Sequence, residues 1–256
     1  MRILVVGGGP AGLMAALGAA EAGARVTLLE KNDDLGRKLL LTGNGRCNLT
    51  NDCGLDALVA NLPGNGPFLY HALSRFGPEE LRAFLHGLGL PTVVEPDGRV
   101  FPAAGRSAAV LAALRRGLER AGVTVRTGMA AVSLTLRDGR VTGAATSTGT
   151  VEGQAVILAT GGASYPQTGS TGDGYRLAAA VGHRIVPPRP ALVPLIAAED
   201  WVASLAGLSL PGAGARLADG GRSIGADRGD MLFTHWGVSG PLVLGLSRAA
   251  VGCLSA

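Results

Sequence analysis

The chain begins with a five-residue apolar run, Arg2 to Val6, followed by glycines and then by an Ala/Leu-rich stretch from Leu13 to Ala22 that Gly23 stops. A short apolar run bounded by glycine reads as a buried strand, and the Ala/Leu stretch has the composition of a helix. Arg25 to Leu29 is a second apolar run, ending at Glu30, so the first thirty residues predict a βαβ unit. Residues 36 to 51, GRKLLLTGNGRCNLTN, carry glycine and asparagine too often for a regular element and predict an extended loop. From Pro67 to Leu88 apolar and polar positions recur at helical spacing, with a break at Gly77 and Pro78. Residues 92 to 102 predict a hairpin around Asp97 and Gly98. Ser107 to Ala121 predicts a second amphipathic helix, leading into a strand from Val123 to Arg126. Short strands flank the turn RDGR at 137 to 140, and Val151 to Ala159 predicts one buried strand. Prolines in VPPRPALVP, residues 186 to 194, predict a stiff linker, and a Gly/Ala-rich stretch of weak periodicity lies beyond it. The expected fold is α/β: a Rossmann-like domain with a parallel sheet and a small β-meander over residues 1–189, and the start of an inserted second domain over 190–256.

Composition narrows the classes. A chain of 256 residues with 47% hydrophobic content can build a sizeable core, and 41 glycines with 4% aromatics suit an α/β protein with tight turns better than a β-sandwich. The net charge is +4, but the arginines are scattered, and Lys31 and Lys38 are the only lysines, which argues against a nucleic-acid surface. Cys47, Cys53 and Cys253 are too few and too irregular for a disulfide framework, which suits a cytoplasmic protein. The opening run mimics a signal peptide until the glycines interrupt it. The closing run PLVLGLSRAAVGCLSA contains Arg248, so no membrane span is expected.

Gly7, Gly9 and Gly12 form G-x-G-x-x-G between the first strand and the first helix. The first glycine allows a tight turn, the second lets backbone approach a pyrophosphate, and the third lets helix and strand pack closely. Glu30, 18 residues after Gly12, stands where a carboxylate accepts ribose hydroxyls and repels a 2′-phosphate, which disfavours NADP. An ordinary glycine-rich turn is the alternative, but strand, helix and acid in register point to a dinucleotide. A second loop rich in small residues, LATGGASYPQTGSTGDGYRLA at 158 to 178, ends another apolar run. Thr160, Gly161 and Gly162 there are small enough to let the chain pass a planar ligand. One long ligand held by both loops is the simplest account, and a plain turn is the alternative.

Five blocks in order, GRKLLLTGNGRCNLTN, GRVFP, ATGGASYPQTGSTGDGYRLA, PPRPALVPL and LFTHWGVSGP, resemble the BaiN-like flavoprotein family, often labelled aminoacetone oxidase or NAD(P)/FAD-dependent oxidoreductase. The resemblance runs from residue 1 to about residue 250, and Pro10 and Ala11 complete a flavoprotein-like GGGPAG loop. It implies an FAD-binding Rossmann domain with a late-inserted second domain. It also implies hydride transfer between flavin N5 and a small organic substrate or NAD(P)H, with oxygen as another candidate electron partner. The implied FAD contacts come from Gly7, Gly9, Gly12, Glu30 and its neighbour Lys31. Others come from Lys38, Thr42, Gly43, Gly45, Arg46, Cys47 and Asn48, from backbone near Ala131, and from the 160 to 173 loop. Family members continue past residue 256 with a glycine-rich segment and a helix aimed at the flavin ring, which nothing here matches. A truncated flavin- or nucleotide-binding protein without turnover is therefore an alternative reading. A tRNA-modifying flavoprotein, suggested by the basic composition, is a third.

Individual residues keep two readings each. Asp173 fits a ribityl or phosphate contact, and Ser170, Thr171 or Asp173 equally fits a helix N-cap. Arg46 and Lys38 fit a positive charge beside reduced flavin or a solvated loop. Cys47 is redox-active only if its thiolate is stabilised, and a lone cysteine is more often inert. His235 in FTHWG is the general-acid candidate, against a packed histidine beside Trp236. His71, His86 and His183 have no partners at metal-ligand spacing, and no metal site is expected.

Overall fold

In this computed structural model, which describes residues 1–254, the chain forms one unit over Met1–Ile185 and a second from Val186 onward. The first unit opens with β1 (Arg2–Val6), α1 (Pro10–Glu21) and β2 (Arg25–Leu29), the βαβ arrangement that the apolar pattern predicts. β1 and β2 pair in parallel, from Arg2 opposite Arg25 to Val6 opposite Leu29.

Residues 36 to 51 depart from the extended loop that their glycines suggest. Gly36, at φ +71°, turns the chain into α2 (Arg37–Leu41), where Arg, Lys and three leucines are all good helix formers. A 3₁₀ turn, Thr42–Gly45, and the two-residue β3 (Thr50–Asn51) follow. The chain continues through α3 (Leu55–Ala60), α4 (Tyr70–Arg75) and α5 (Pro78–Gly87), with the expected break at Gly77 and Pro78. β4 (Thr92–Val94) and β5 (Arg99–Pro102) make the expected hairpin, and α6 (Ser107–Arg120) leads into β6 (Thr124–Arg126), which pairs in parallel with β2.

β7 (Ala131–Arg137), β8 (Arg140–Thr146) and β9 (Gly149–Glu152) form the small antiparallel meander. The single strand expected from Val151 to Ala159 is two: β9 ends in the meander, and β10 (Ala155–Leu158) crosses to pair with β1. The division falls at Gly153, where an added Cβ would lie 3.0 Å from Leu4 Cβ, so a side chain would crowd β1. β10 is also half-buried rather than fully buried.

The parallel sheet runs β10-β1-β2-β6. Successive β1 residues bury opposite faces, as strands covered on both sides do. Val5 joins Val26 and Leu28 against Leu13 and Leu17 of α1 and Val110, Leu114 and Leu118 of α6. Leu4 and Val6 join Leu29 against Ala131, Ala144 and Val151 of the meander and Leu177 of α7 (Asp173–Ala180). Each fully buried Leu or Val contributes about 1.5–3 kcal/mol. Burial on both faces therefore fixes where the strands end, and the site is built from those ends.

The second unit holds β11 (Leu195–Ile196), α8 (Trp201–Ser204), β12 (Ser209–Asp219), β13 (Arg222–Thr234), β14 (Gly237–Ser239) and α9 (Pro241–Leu254). Its antiparallel sheet runs β11-β14-β13-β12. The long β12–β13 hairpin turns at Gly220 and Gly221, at φ +52° and +81°, a turn signal that the surrounding Gly/Ala-rich composition hides. No helix of the described residues is long and apolar enough to cross a membrane.

Candidate functional site

Parallel strands bring their carboxyl ends to one edge, so the loops leaving β10, β1 and β2 meet there, as ligand-binding loops of open α/β sheets do. They line a cleft of about 330 Å³. Its walls include Gly7, Gly9, Pro10 and Ala11 after β1, Glu30, Lys31 and Asn32 after β2, and Ala159 to Gly162 after β10. Met129, Ala130 and Ala131, leading into β7, and Thr168, Gly169, Ser170 and Asp173 complete them. The two distant glycine-rich loops therefore face one cavity.

The glycines divide their roles as the fingerprint requires. Gly7 sits at φ +112°, and a Cβ there would meet the Ala159 carbonyl oxygen at 2.3 Å. A Cβ on Gly12 would lie 1.8 Å from the Gly7 carbonyl oxygen, so helix and turn touch through backbone. Gly9 differs: nothing lies within 4 Å of the place its Cβ would occupy, so its missing side chain leaves room at the cleft rather than inside the fold. α1 starts with Pro10, has no side-chain cap and carries no acid in its first turn, leaving first-turn N–H groups for an anion.

Glu30 is buried at the end of β2, and its carboxylate accepts hydrogen bonds from the backbone N–H of Gly8 at 2.7 Å and of Asn32 at 2.8 Å, and from Asn32 Nδ2 at 2.6 Å. A carboxylate offers about four acceptor positions, so these bonds orient it with capacity left for a ribose hydroxyl. Gly8 is a residue the fingerprint passes over. A Cβ there would approach Leu35 Cδ2 to 2.4 Å and Glu30 Oε2 to 3.0 Å, so this middle glycine of the GGG run protects the acid.

Asp173 does not cap its helix. The N-cap is Gly172 at φ +80°, without a side-chain bond, and the Ser170 and Thr171 hydroxyls do not cap it either. Lys31 Nζ instead donates to Asp173 Oδ2 at 2.7 Å and to Thr171 Oγ1 at 2.6 Å. That lysine holds the Asp173 carboxyl below the usual carboxylate range, with partial burial opposing it. A depressed folded-state pKa means stability that is present above the ordinary Asp value and is lost as pH falls through the folded one. Asp173→Asn is therefore expected to lower the melting temperature slightly at neutral pH, the pair being worth about 1 kcal/mol at most. The difference from the unaltered protein should shrink as pH falls below the ordinary Asp value, which melts of both proteins across pH 2–6 would check.

The 42 to 48 segment does not line this cleft. Lys38 lines the cleft and donates to the Ser164 carbonyl oxygen at 2.7 Å, but Thr42, Gly43, Gly45, Arg46, Cys47 and Asn48 are not among the lining residues. Arg46 is ion-paired to Glu95, and its guanidinium lies 4.0 Å from the centre of the Phe101 ring. Thr42 Oγ1 donates to the Leu39 carbonyl oxygen at 2.7 Å. A Cβ on Gly43 would meet the Asn48 backbone nitrogen at 2.8 Å, so this glycine serves the turn. Cys47 is buried, and burial pushes its thiol up, the opposite of an activated thiolate. A thiol-labelling time course on the native protein should therefore modify Cys53 and Cys253, which are partly exposed, and reach Cys47 only on unfolding. In the second unit His235 and Trp236 are both exposed on the turn between β13 and β14, so His235 is not packed in a core. Among the described residues no group of His, Cys, Asp or Glu could hold a metal.

A Rossmann turn with an oriented acid, opposed by a second glycine-rich loop, defines a dinucleotide-binding flavoprotein domain, and the comparisons with known proteins bear this out. Residues 1–243 match the HI0933-like protein Rossmann domain, and the chain belongs to that FAD-binding family. The 3-dehydro-bile acid delta(4,6)-reductase of Clostridium scindens is 38% identical over 256 residues, covering 96% of this chain and 60% of that protein. The ribosomal RNA dihydrouridine synthase of Haemophilus influenzae is 31% identical over 251 residues, with coverage of 96% and 60%. This chain thus spans about 60% of the length of these relatives. The open conformation of a flavocytochrome c3 fumarate reductase shares the fold, with a TM-score of 0.58, 23% identity, and coverage of 82% of this chain and 46% of that one.

Proposed function

We propose that this chain is the cofactor-holding part of an FAD-dependent oxidoreductase that reduces a carbon–carbon double bond conjugated to a carbonyl in a small organic substrate. The observation that carries the reading is the single cleft shared by the Gly7–Gly12 turn, Glu30 and the 159 to 162 loop. Bound FAD would supply hydride exchange at flavin N5. The chain's own residues do the holding. First-turn N–H groups of α1 would hold the pyrophosphate, Glu30 would accept from the adenosine ribose, and Met129, Ala131 and Leu177 present an apolar wall that would keep water out. The substrate class is supported by the names of two relatives, a steroid-dienone reductase and a synthase of dihydrouridine, since both names describe saturation of a double bond conjugated to a carbonyl.

Anaerobic NADH or NADPH should bleach the bound flavin, and a 4-en-3-one steroid should restore its colour faster than buffer alone does. A flavin that no such donor reduces and no enone reoxidises would leave a binding module without turnover. A second reading, reduction of a uridine in RNA, is favoured by the name of the 31%-identical relative. It requires salt-dependent RNA binding, which a filter assay at two ionic strengths measures.

A further inference from the structure

α5 ends at Gly87, and the chain turns back at Gly89, at φ +77°, to begin β4. Leu85 and Leu90, on either side of the turn, are buried, and the Leu90 N–H donates to the Leu85 carbonyl oxygen at 2.9 Å, which pins the turn. It brings Thr92 back beside His86. The Thr92 backbone N–H donates to His86 Nε2 at 3.1 Å, and the Thr92 hydroxyl lies 3.1 Å from the same nitrogen. β4 is an edge strand of the sheet β3-β5-β4, and the imidazole gives this N–H the partner that no further strand supplies.

A backbone N–H can only donate, so Nε2 must present a lone pair, and the ring is neutral with its proton on Nδ1. A second proton would make both ring nitrogens donors. The Thr92 hydroxyl can turn and accept from the charged ring, whereas the amide cannot change role and loses its acceptor. No hydrogen bond or ion pair joins His86 to a charged side chain among the described residues. β4, packed on this end of α5, carries only Thr92, Val93 and Val94, and Pro102 of β5 lies opposite Thr92. α6 meets the turn at Gly117, against Leu88. On α5 itself Arg82, one turn back, is ion-paired to Asp52, and Glu79 and Glu80 lie in the first turn.

We propose that His86 and Thr92 form a pH-sensitive clasp, closed while the imidazole is neutral and opened by its protonation, that fastens the start of the β4–β5 hairpin to α5. The clasp uses no residue of the cleft and is independent of the FAD reading. Its contribution to stability is present while the ring is neutral and is lost as pH falls and the ring takes up its proton. The hairpin also carries Glu95 and Phe101, the two partners of Arg46, so the clasp secures the element on which Arg46 rests.

The test is amide exchange and imidazole nitrogen NMR of the full chain and its His86→Ala variant at about pH 5 and about pH 8. At the higher pH the unaltered protein is expected to show Nε2 as the unprotonated ring nitrogen and a protected Thr92 amide. At the lower pH the protection of that amide, corrected for its intrinsic exchange rate, is expected to fall about fivefold or more. The Leu90 amide, bonded to Leu85, is expected to keep its own protection. In the alanine variant the Thr92 amide is expected to be unprotected at both pH values. A proton on Nε2 at the higher pH, read on the unaltered protein and so independent of whether the variant folds, would overturn the clasp. So would equal Thr92 protection at the two pH values in the unaltered protein, or a pH dependence that survives in the alanine variant.

Discussion

Gly9→Ala is expected to weaken FAD binding by about 10- to 100-fold while leaving the apoprotein's melting temperature within about 2 °C of the unaltered protein. The two effects separate because of where this glycine faces. Its φ of −78° is open to any residue, and nothing lies within 4 Å of the position an added Cβ would take. The fold therefore has no reason to resist alanine. The ligand does, since a methyl group at the mouth of α1 holds the pyrophosphate away from the first-turn N–H groups, and each lost hydrogen bond to a charged group weakens binding by about 1.5–3 kcal/mol. Calorimetric titration with FAD, alongside thermal melts of the apoprotein, measures both halves. An unchanged affinity would mean that the pyrophosphate does not lie over Gly9.

Gly12→Ala has the opposite signature. Its Cβ would fall 1.8 Å from the Gly7 carbonyl oxygen and 2.9 Å from the carbonyl carbon, and neither atom is free to retreat. Gly7 donates to the Leu29 carbonyl oxygen at 2.8 Å, and the Gly7 turn already lies against Ala159 and Thr160. Relief requires α1 to move off β1, opening the contact of Leu13 and Leu17 with Val5. Destabilisation of about 3 kcal/mol or more is expected, and with it loss of FAD binding, because helix and turn no longer meet in the holding geometry. Urea melts of the apoprotein should show a lower midpoint than the unaltered chain. A variant as stable as the parent would mean that helix and strand are less tightly joined than the structure has them.

Most of the Rossmann framework is legible in the sequence because its signals are local. A five-residue apolar strand, a glycine turn, an Ala/Leu helix and an acid at the next strand end lie within thirty residues, and each element reports its own position. Residues 36 to 51 mislead because glycine frequency outweighs the short RKLLL helix former, which Gly36 admits by a positive φ. The strand from 151 to 159 misleads because an apolar run does not show that two sheets share it, and the crossing depends on how close Gly153 passes to Leu4. The same limit governs the site. Glu30 and the three fingerprint glycines can be found from spacing, whereas Gly8 and Asn32 matter only through contacts across the fold. Arg46, placed by resemblance beside the cofactor, is taken up by Glu95 and Phe101, partners from the hairpin that no local pattern connects to it.

The proposed function depends on two loops some 150 residues apart, which line one cleft, closing on one FAD. The direct measurement is the visible absorption spectrum of the purified chain after incubation with FAD and removal of the excess, with bound flavin counted against protein. The expected result is a retained flavin spectrum at one FAD per chain. A chain that stays colourless after reconstitution, or that holds two nucleotides at separate sites, would refute the shared cleft.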